Sequence, residues 1–336
     1  MKRRVISLLL ALTLILTALT GCRPLAGQDK KASSREAGAK QDKYKIVCTT
    51  FPQYDWVMNL VGDLKDKFEL TYLMESGVDL HSYRPSATDM AKIEGADLFI
   101  YVGGESDAWV ADALKDSKNQ SLRTVNMLDS LGDGKKEEEV VEGMQKEEEK
   151  EEEGDKGPEY DEHVWLSLKN ARKLTGLISD HMKKIDPADA DAIDANTKAY
   201  QKKLEALDQT YAEEIKKTGH KPVLFGDRFP FRYLIDDYGL KYYAAFVGCS
   251  AESEASFQTV SFLAGKVDEL HLPVILTIEK SDHKIAETIR ENTRDKNQKI
   301  LTLDSLQSVS REDIEKGRNY LKAMEENLDV LKAALK

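Results

Sequence analysis

The chain is short of the residues that would commit it to several common roles. Three cysteines in 336 residues are too few for a disulfide scaffold. Positive charge is in deficit: 49 Lys and Arg against 60 Asp and Glu leave a formal charge of −11, which argues against nucleic acid as a partner. Catalytic signatures are missing as well. The "GGES" at 103–106 is not a nucleophile elbow, no P-loop occurs, and no G-x-G-x-x-G follows the first strand. Paired carboxylates abound, but in so acidic a chain they carry no weight, and the reading is of a protein that is not an enzyme. What is present is ordinary globular material, 41% hydrophobic and 32% charged, long enough for two lobes with a core in each.

The N-terminus is the most decodable stretch. Lys2, Arg3 and Arg4 precede the apolar run "VISLLLALTLILTALTG", the layout of a secretory signal over residues 1–21. The run ends in "LTGC", Leu19 to Cys22, which resembles the bacterial lipobox whose cysteine is acylated and becomes the mature terminus. A single membrane span is the alternative, but the run is short of the ~20 residues that a span needs. Acyl chains on Cys22 would hold the protein on the extracytoplasmic face of a cell membrane while the fold stays in water. Residues 22–43 are small, polar and aperiodic, and read as a flexible tether.

From Tyr44 onward, short apolar runs alternate with helical stretches. Strands are expected at 45–50, 68–74, 97–103 and 122–128, and a second series at 222–226, 242–248, 273–279 and 299–304. Strands this apolar, alternating with helices, predict parallel sheets covered on both faces. The expected fold is α/β: two Rossmann-like (βα)4 lobes, 44–186 and 219–336, joined by a long connecting helix over 187–218. Ligands of open parallel sheets bind at the carboxyl ends of strands, so the site belongs in the cleft between the lobes. Residues 133–162 hold 15 acidic and 5 basic residues, and so carry −10 of the chain's −11. Such a run predicts a mobile loop, either without a role or as an electrostatic lure for a divalent cation.

Six histidines remain as candidate chemistry. His181 falls in a helical tract, His220 and His271 just before strands, and His283 at the start of a helix; these read as structural or solvated. His81, in "GVDLHSYRPS", and His163, in "DEHVWLS", fall in loops that should open toward the cleft. Spacing alone leaves a metal site there an open alternative.

Several ordered motifs add to that reading. "HSYRP" (81–85), "DEHVWLSLKNA" (161–171), "YLIDDYGL" (233–240), "LTLDSL" (301–306) and the closing "YLKAMEENLDVLKAAL" resemble the zinc- and manganese-type solute-binding lipoproteins of bacterial ABC importers, from about Tyr44 to Lys336. The resemblance implies metal ligands at His81, His163 and Asp304. It places Arg228 where the family has its third ligand, and a guanidinium offers a metal no lone pair. The adjacent Asp227, in "FGDRFPF", is the carboxylate that could stand in. Cys48 and Cys249 could form a disulfide, could simply be buried, or could supply a soft ligand.

The implied function is capture of Zn2+ or Mn2+ in the interlobe cleft by a lipid-anchored monomer and delivery to an ABC importer permease. Two alternatives stay open: a non-metal solute bound beside an Arg228–Asp304 pair, and a surface adhesion or scaffold role.

Overall fold

The computed structural model describes residues 43–115, 117–145, 158–219, 221–250 and 254–336. The apolar segment 1–21, Cys22 with the tether up to residue 42, and His220 lie outside the described residues.

The N-terminal half carries strands β1 (Tyr44–Cys48), β2 (Phe68–Tyr72), β3 (Leu98–Tyr101) and β4 (Arg123–Asn126), with helices α1 (Phe51–Val61), α2 (Ala87–Glu94) and α3 (Trp109–Lys115) between them. A helical tract follows, α4 (Leu168–Ile185) and α5 (Ala190–Lys216). The C-terminal half holds β5 (Val223–Phe229), α6 (Arg232–Asp237), β6 (Tyr242–Val247), α7 (Phe257–Leu270), β7 (Val274–Thr277), α8 (Lys284–Glu291) and β8 (Lys299–Thr302). Two helices close the chain, α9 (Arg311–Glu315) and α10 (Tyr320–Ala334).

All eight expected strands form, and every pairing between them is parallel. The sheets run β2-β1-β3-β4 and β6-β5-β7-β8, the same order twice. In each, the strand order reverses beside the first strand, which opens a crevice at the carboxyl ends.

Local sequence explains the elements. In α5 the buried positions are Ile193, Thr197, Tyr200, Leu204, Leu207, Tyr211 and Ile215, a three-four spacing that lays one apolar stripe along 27 residues. At 1.5 Å per residue that helix is about 40 Å long, enough to run past both sheets. Ser167 starts α4 by accepting from Asn170 N, and Asn319 starts α10 by accepting from Lys322 N.

A single core runs through both sheets and the helices between them, including Ile46, Phe99, Trp165, Leu204, Phe225 and Tyr320. A smaller one, with Phe246, Leu263, Val267 and Ile289, lies within the C-terminal half. The seam between the halves is also bonded. Tyr72 OH donates to Val309 O at 2.8 Å, Arg311 N donates to Glu75 O at 2.8 Å, and Trp165 Nε1 donates to Ser305 O at 2.8 Å. Tyr320 OH donates to Trp165 O while its ring meets Trp56 edge-on at 5.3 Å. Opening this seam as a hinge would break buried hydrogen bonds and expose core.

The acidic stretch departs from expectation at its flanks. Glu137 bridges Tyr160, Glu138 N donates to Glu159 O, and Asp161 N donates to Lys136 O, so the two ends form an antiparallel ribbon. Gln145 N donates to Ala245 O, and Met144 is buried. The reason is local: Val141, Met144 and Tyr160 give the acidic flanks apolar anchors. Residues 146–157 lie outside the described residues.

Candidate metal site

The site assembles on loops that leave the carboxyl ends of strands. His81 sits in a short 3-10 turn (Leu80–Ser82) after β2, where Asp79 accepts its backbone N–H at 3.0 Å. His163 precedes the turn Val164–Leu166 and α4, and is completely buried. Cys249 follows β6. One ligand atom from each of these three residues lies within 4.8 Å of the other two.

The imidazoles are oriented for ligation. His163 Nδ1 lies 3.1 Å from Asp161 Oδ1, and the same oxygen accepts the His163 backbone N–H at 2.8 Å. His81 Nδ1 lies 2.7 Å from the Ser106 hydroxyl and 3.7 Å from Glu162 Oε2. With Nδ1–H directed at these oxygens, each neutral ring would present its Nε2 lone pair, the arrangement that carboxylates impose on metal-ligating histidines. The two Nε2 atoms face each other at 3.2 Å. Two nitrogens at 2.0–2.1 Å from a tetrahedral Zn2+ would stand about 3.3 Å apart. Unprotonated nitrogens this close repel unless a proton or a cation lies between them.

The surroundings push the two rings in opposite directions. Burial, then the neighbouring His163, drives the His81 pKa down to about 3. Burial would also depress His163, but the Asp161 carboxylate more than offsets it and holds that pKa above the ordinary value. Beside them, burial pushes Glu162 up to about 7; its Oε1 accepts from Ser106 N at 2.9 Å, while Oε2 has no hydrogen-bond partner. Gln307, fully buried, lies against His81 with its Oε1 unpartnered.

Two glycines make the close packing feasible. At Gly104, with φ of +78°, a Cβ would come within 2.3 Å of Glu162 Oε1. At Gly248 a Cβ would meet Phe229 O at 2.8 Å and His163 Cε1 at 3.2 Å.

The other expected ligands are elsewhere. Asp304 pairs with Arg318, accepts from Leu306 N at 2.8 Å, and lines a cavity with Glu279 and Lys280 that His81 does not line. Its carboxylate is neutralised within its own half, so it is not gathered into the histidine cluster. Asp227 accepts from its own neighbour Arg228 N at 2.9 Å and from Ile278 N at 3.3 Å, and turns into backbone rather than the site. Arg228 does not pair with Asp304; it reaches Asp79, the residue that caps the His81 turn. An Arg228–Asp304 solute pocket is therefore not formed.

Cys48 and Cys249 are both free thiols, so the disulfide is absent. Cys48 is fully buried in β1 between β2 and β3, with its pKa raised by desolvation. His283 sits 3.1 Å from Thr277 Oγ1 and His271 ends α7, neither at the site.

Sequence reasoning missed Asp161, Glu162, Ser106, Glu138 and Gln307. The first two stand within the "DEHVWLS" motif itself, and Gln307 lies three residues past Asp304. No spacing rule brings Ser106 or Glu138 to them.

The chain is similar to proteins named for zinc binding and zinc uptake, and also to solved structures of the laminin-binding protein Lmb of Streptococcus agalactiae. The family described as the periplasmic component A of a zinc-uptake complex matches residues 46–334. The zinc-binding lipoprotein AdcA of Streptococcus pneumoniae is 31% identical over 292 residues, which is 86% of this chain and 55% of that protein. The chain thus spans about half the length of that relative. The high-affinity zinc uptake system protein ZnuA of Bacillus subtilis is 30% identical over 313 residues, 93% of each chain. Among solved structures, the metal-dependent lipoprotein YcdH of Bacillus subtilis superposes with a TM-score of 0.71 at 30% identity, covering 88% of this chain and 100% of that one. The Zn(II)-bound ZnuA-like domain of S. pneumoniae AdcA gives 0.68 at 29% identity, covering 87% and 99%. The chain belongs to the family of periplasmic zinc-uptake complex component A.

Proposed function

We propose that the protein is an extracytoplasmic receptor that captures a divalent transition metal, Zn2+ ahead of Mn2+, and delivers it to the permease of an ABC importer. The observation that carries this reading is the pair of Nε2 atoms at 3.2 Å, each ring with Nδ1 beside an oxygen acceptor. The names of the relatives support zinc as the cargo, and the family description supports an uptake complex as the partner. Acylation at Cys22 would keep a monomeric receptor beside that permease.

The metal reaches the histidines through a cavity of about 400 Å³ lined by His81, Ser106, Glu105, Glu138, Glu159 and Glu162. Four carboxyl groups around one mouth raise the local concentration of a cation. On arrival the cation replaces the repulsion between the Nε2 atoms with two coordinate bonds, while Asp161 and Ser106 hold the rings in place. Because the seam between the halves is bonded, loading and release run through the His81 turn and the loops around it rather than a wide hinge. The test is calorimetry on the chain carrying His81→Ala and His163→Ala together. Zn2+ affinity should fall by well over about 100-fold, more than loss of an outer partner costs; unchanged affinity would refute the reading.

A further inference from the structure

We propose that Cys249 is the third protein ligand of this site, bound as the thiolate, so that the receptor is a His2Cys centre biased toward Zn2+ against Mn2+. The inference deepens the metal-receptor reading and rests on it.

Geometry comes first. The Cys249 Sγ is the only non-histidine atom in the candidate ligand cluster among the described residues, within 4.8 Å of both imidazole nitrogens. A tetrahedral Zn2+ with nitrogens at 2.0–2.1 Å and sulfur at 2.3 Å sets nitrogen and sulfur about 3.6 Å apart. The imidazoles already have the separation such an ion requires, and the thiol needs at most a shift on the order of an ångström. Cys249 sits on the C-terminal half, opposite two histidines from the N-terminal half, so its sulfur closes the open side of the pair.

The polar surroundings hold the His81 ring that faces the thiol. Glu162 Oε2 and Gln307 Oε1 are oxygen atoms without hydrogen-bond partners, on side chains that are 2% and 0% exposed. Both lie against His81. Glu162 Oε2 stands on the Nδ1 side of the ring, away from the Nε2 that would take the metal, so these acceptors orient His81 rather than bind the cation.

Glu138 holds the cysteine loop in place, accepting Cys249 N–H at 3.1 Å and facing the thiol. On binding, the S–H bond breaks, its electron pair forms the bond from sulfur to metal, and the proton passes to Glu138 and then to solvent. Soft thiolate favours Zn2+, while Mn2+ is suited by carboxylate, carbonyl and water oxygens. Arg228, which cannot ligate, is then no defect at the third corner: it serves as the clamp on Asp79, and sulfur from the next strand supplies the missing bond.

The probe is Co2+, whose thiolate complexes absorb strongly in the near ultraviolet and whose tetrahedral complexes absorb in the visible. The full chain loaded with Co2+ should show both features. Cys249→Ser should keep visible bands, lose the near-ultraviolet charge-transfer band, and lower the ratio of Zn2+ to Mn2+ affinity by at least about tenfold. X-ray absorption of the Zn2+-loaded wild-type chain, which does not depend on the variant folding, should show one sulfur scatterer near 2.3 Å. Metal binding without sulfur scattering, or a charge-transfer band that survives in Cys249→Ser, would overturn the thiolate ligand and leave the receptor intact. Failure of the wild-type chain to bind either Co2+ or Zn2+ would instead sink the reading beneath it.

Discussion

The two sides of the cleft treat charge differently. On the N-terminal side, Asp107 and Glu162 are buried carboxyl groups without a Lys or Arg partner among the described residues, held by the backbone N–H groups of Val102, Gly103 and Ser106. On the C-terminal side, Asp304 is paired with Arg318, and Arg228 reaches across to Asp79. Asp107 and Glu162 thus have no guanidinium partner among the described residues, while Asp304 and Asp79 each have one; Glu279 on the C-terminal side is likewise held by Ser305 and Gln307 donors. Net charge and carboxylate count do not reveal which carboxyl groups meet a guanidinium; the fold decides it.

The largest expected effect of that contrast is on pH dependence. Burial raises the Asp107 pKa from 3.8 to about 6, so between these values the folded state holds a proton that the unfolded state has released. The folded-state pKa is raised, so stability from this group is present below pH 4 and is lost as pH rises toward 6. Asp107→Asn removes that loss. Relative to wild type, the variant should gain up to about 3 kcal/mol between pH 4 and 7.5, from two units at 1.36 kcal/mol each. Chemical denaturation of both proteins at the two pH values measures it, and an unchanged difference would place Asp107 among the ordinary ionised carboxylates.

A second contrast sets Asp161 against Asp304. Asp161→Asn weakens the hydrogen bond that orients His163 and should cost about 10–100-fold in Zn2+ affinity. Asp304→Asn touches an ion pair outside the cluster and should change affinity by less than about threefold. Equal losses from both substitutions, read by competition with a chromophoric chelator, would bring Asp304 back into the site.

The smallest effect belongs to the clamp. Arg228→Met leaves Asp79 without its partner, and because both side chains are about a fifth exposed the cost should be about 1 kcal/mol. Thermal unfolding of the apo form gives the number. A gain in metal affinity in the same variant would show that Arg228 opposes the cation instead of merely fastening the His81 turn.

These contrasts also explain which parts of the chain were readable in advance. The eight strands are short apolar runs between helical stretches, and alternation of that kind fixes a parallel sheet by backbone hydrogen bonding and burial alone. His81 and His163 were legible because each stands in a compact motif whose own neighbours orient it, Asp79 for the first and Asp161 for the second. Asp304 and Asp227 could not be oriented in advance because a carboxylate has no direction in sequence. Its partner is decided by whichever cation or backbone N–H lies nearest after folding, here Arg318 and Ile278 N. The acidic flanks were misread for a similar reason: mean charge predicted mobility, while three apolar anchors bring the ends into a ribbon.

The sequence by itself determined the repeated parallel architecture and the long helix between the halves, since each follows from local pattern and spacing; His81 and His163 stood out as candidate ligands through the family resemblance of their motifs. Only the tertiary structure decided the opposite face of the site. Cys249 lies 86 residues beyond His163, and Gln307 lies 226 residues beyond His81. Such distances along the chain leave no periodic trace. They close only when two similar sheets are packed with their strand ends toward one cleft, and the same packing commits Arg228 to Asp79 and leaves Cys249 a free thiol, an outcome the sequence had left open.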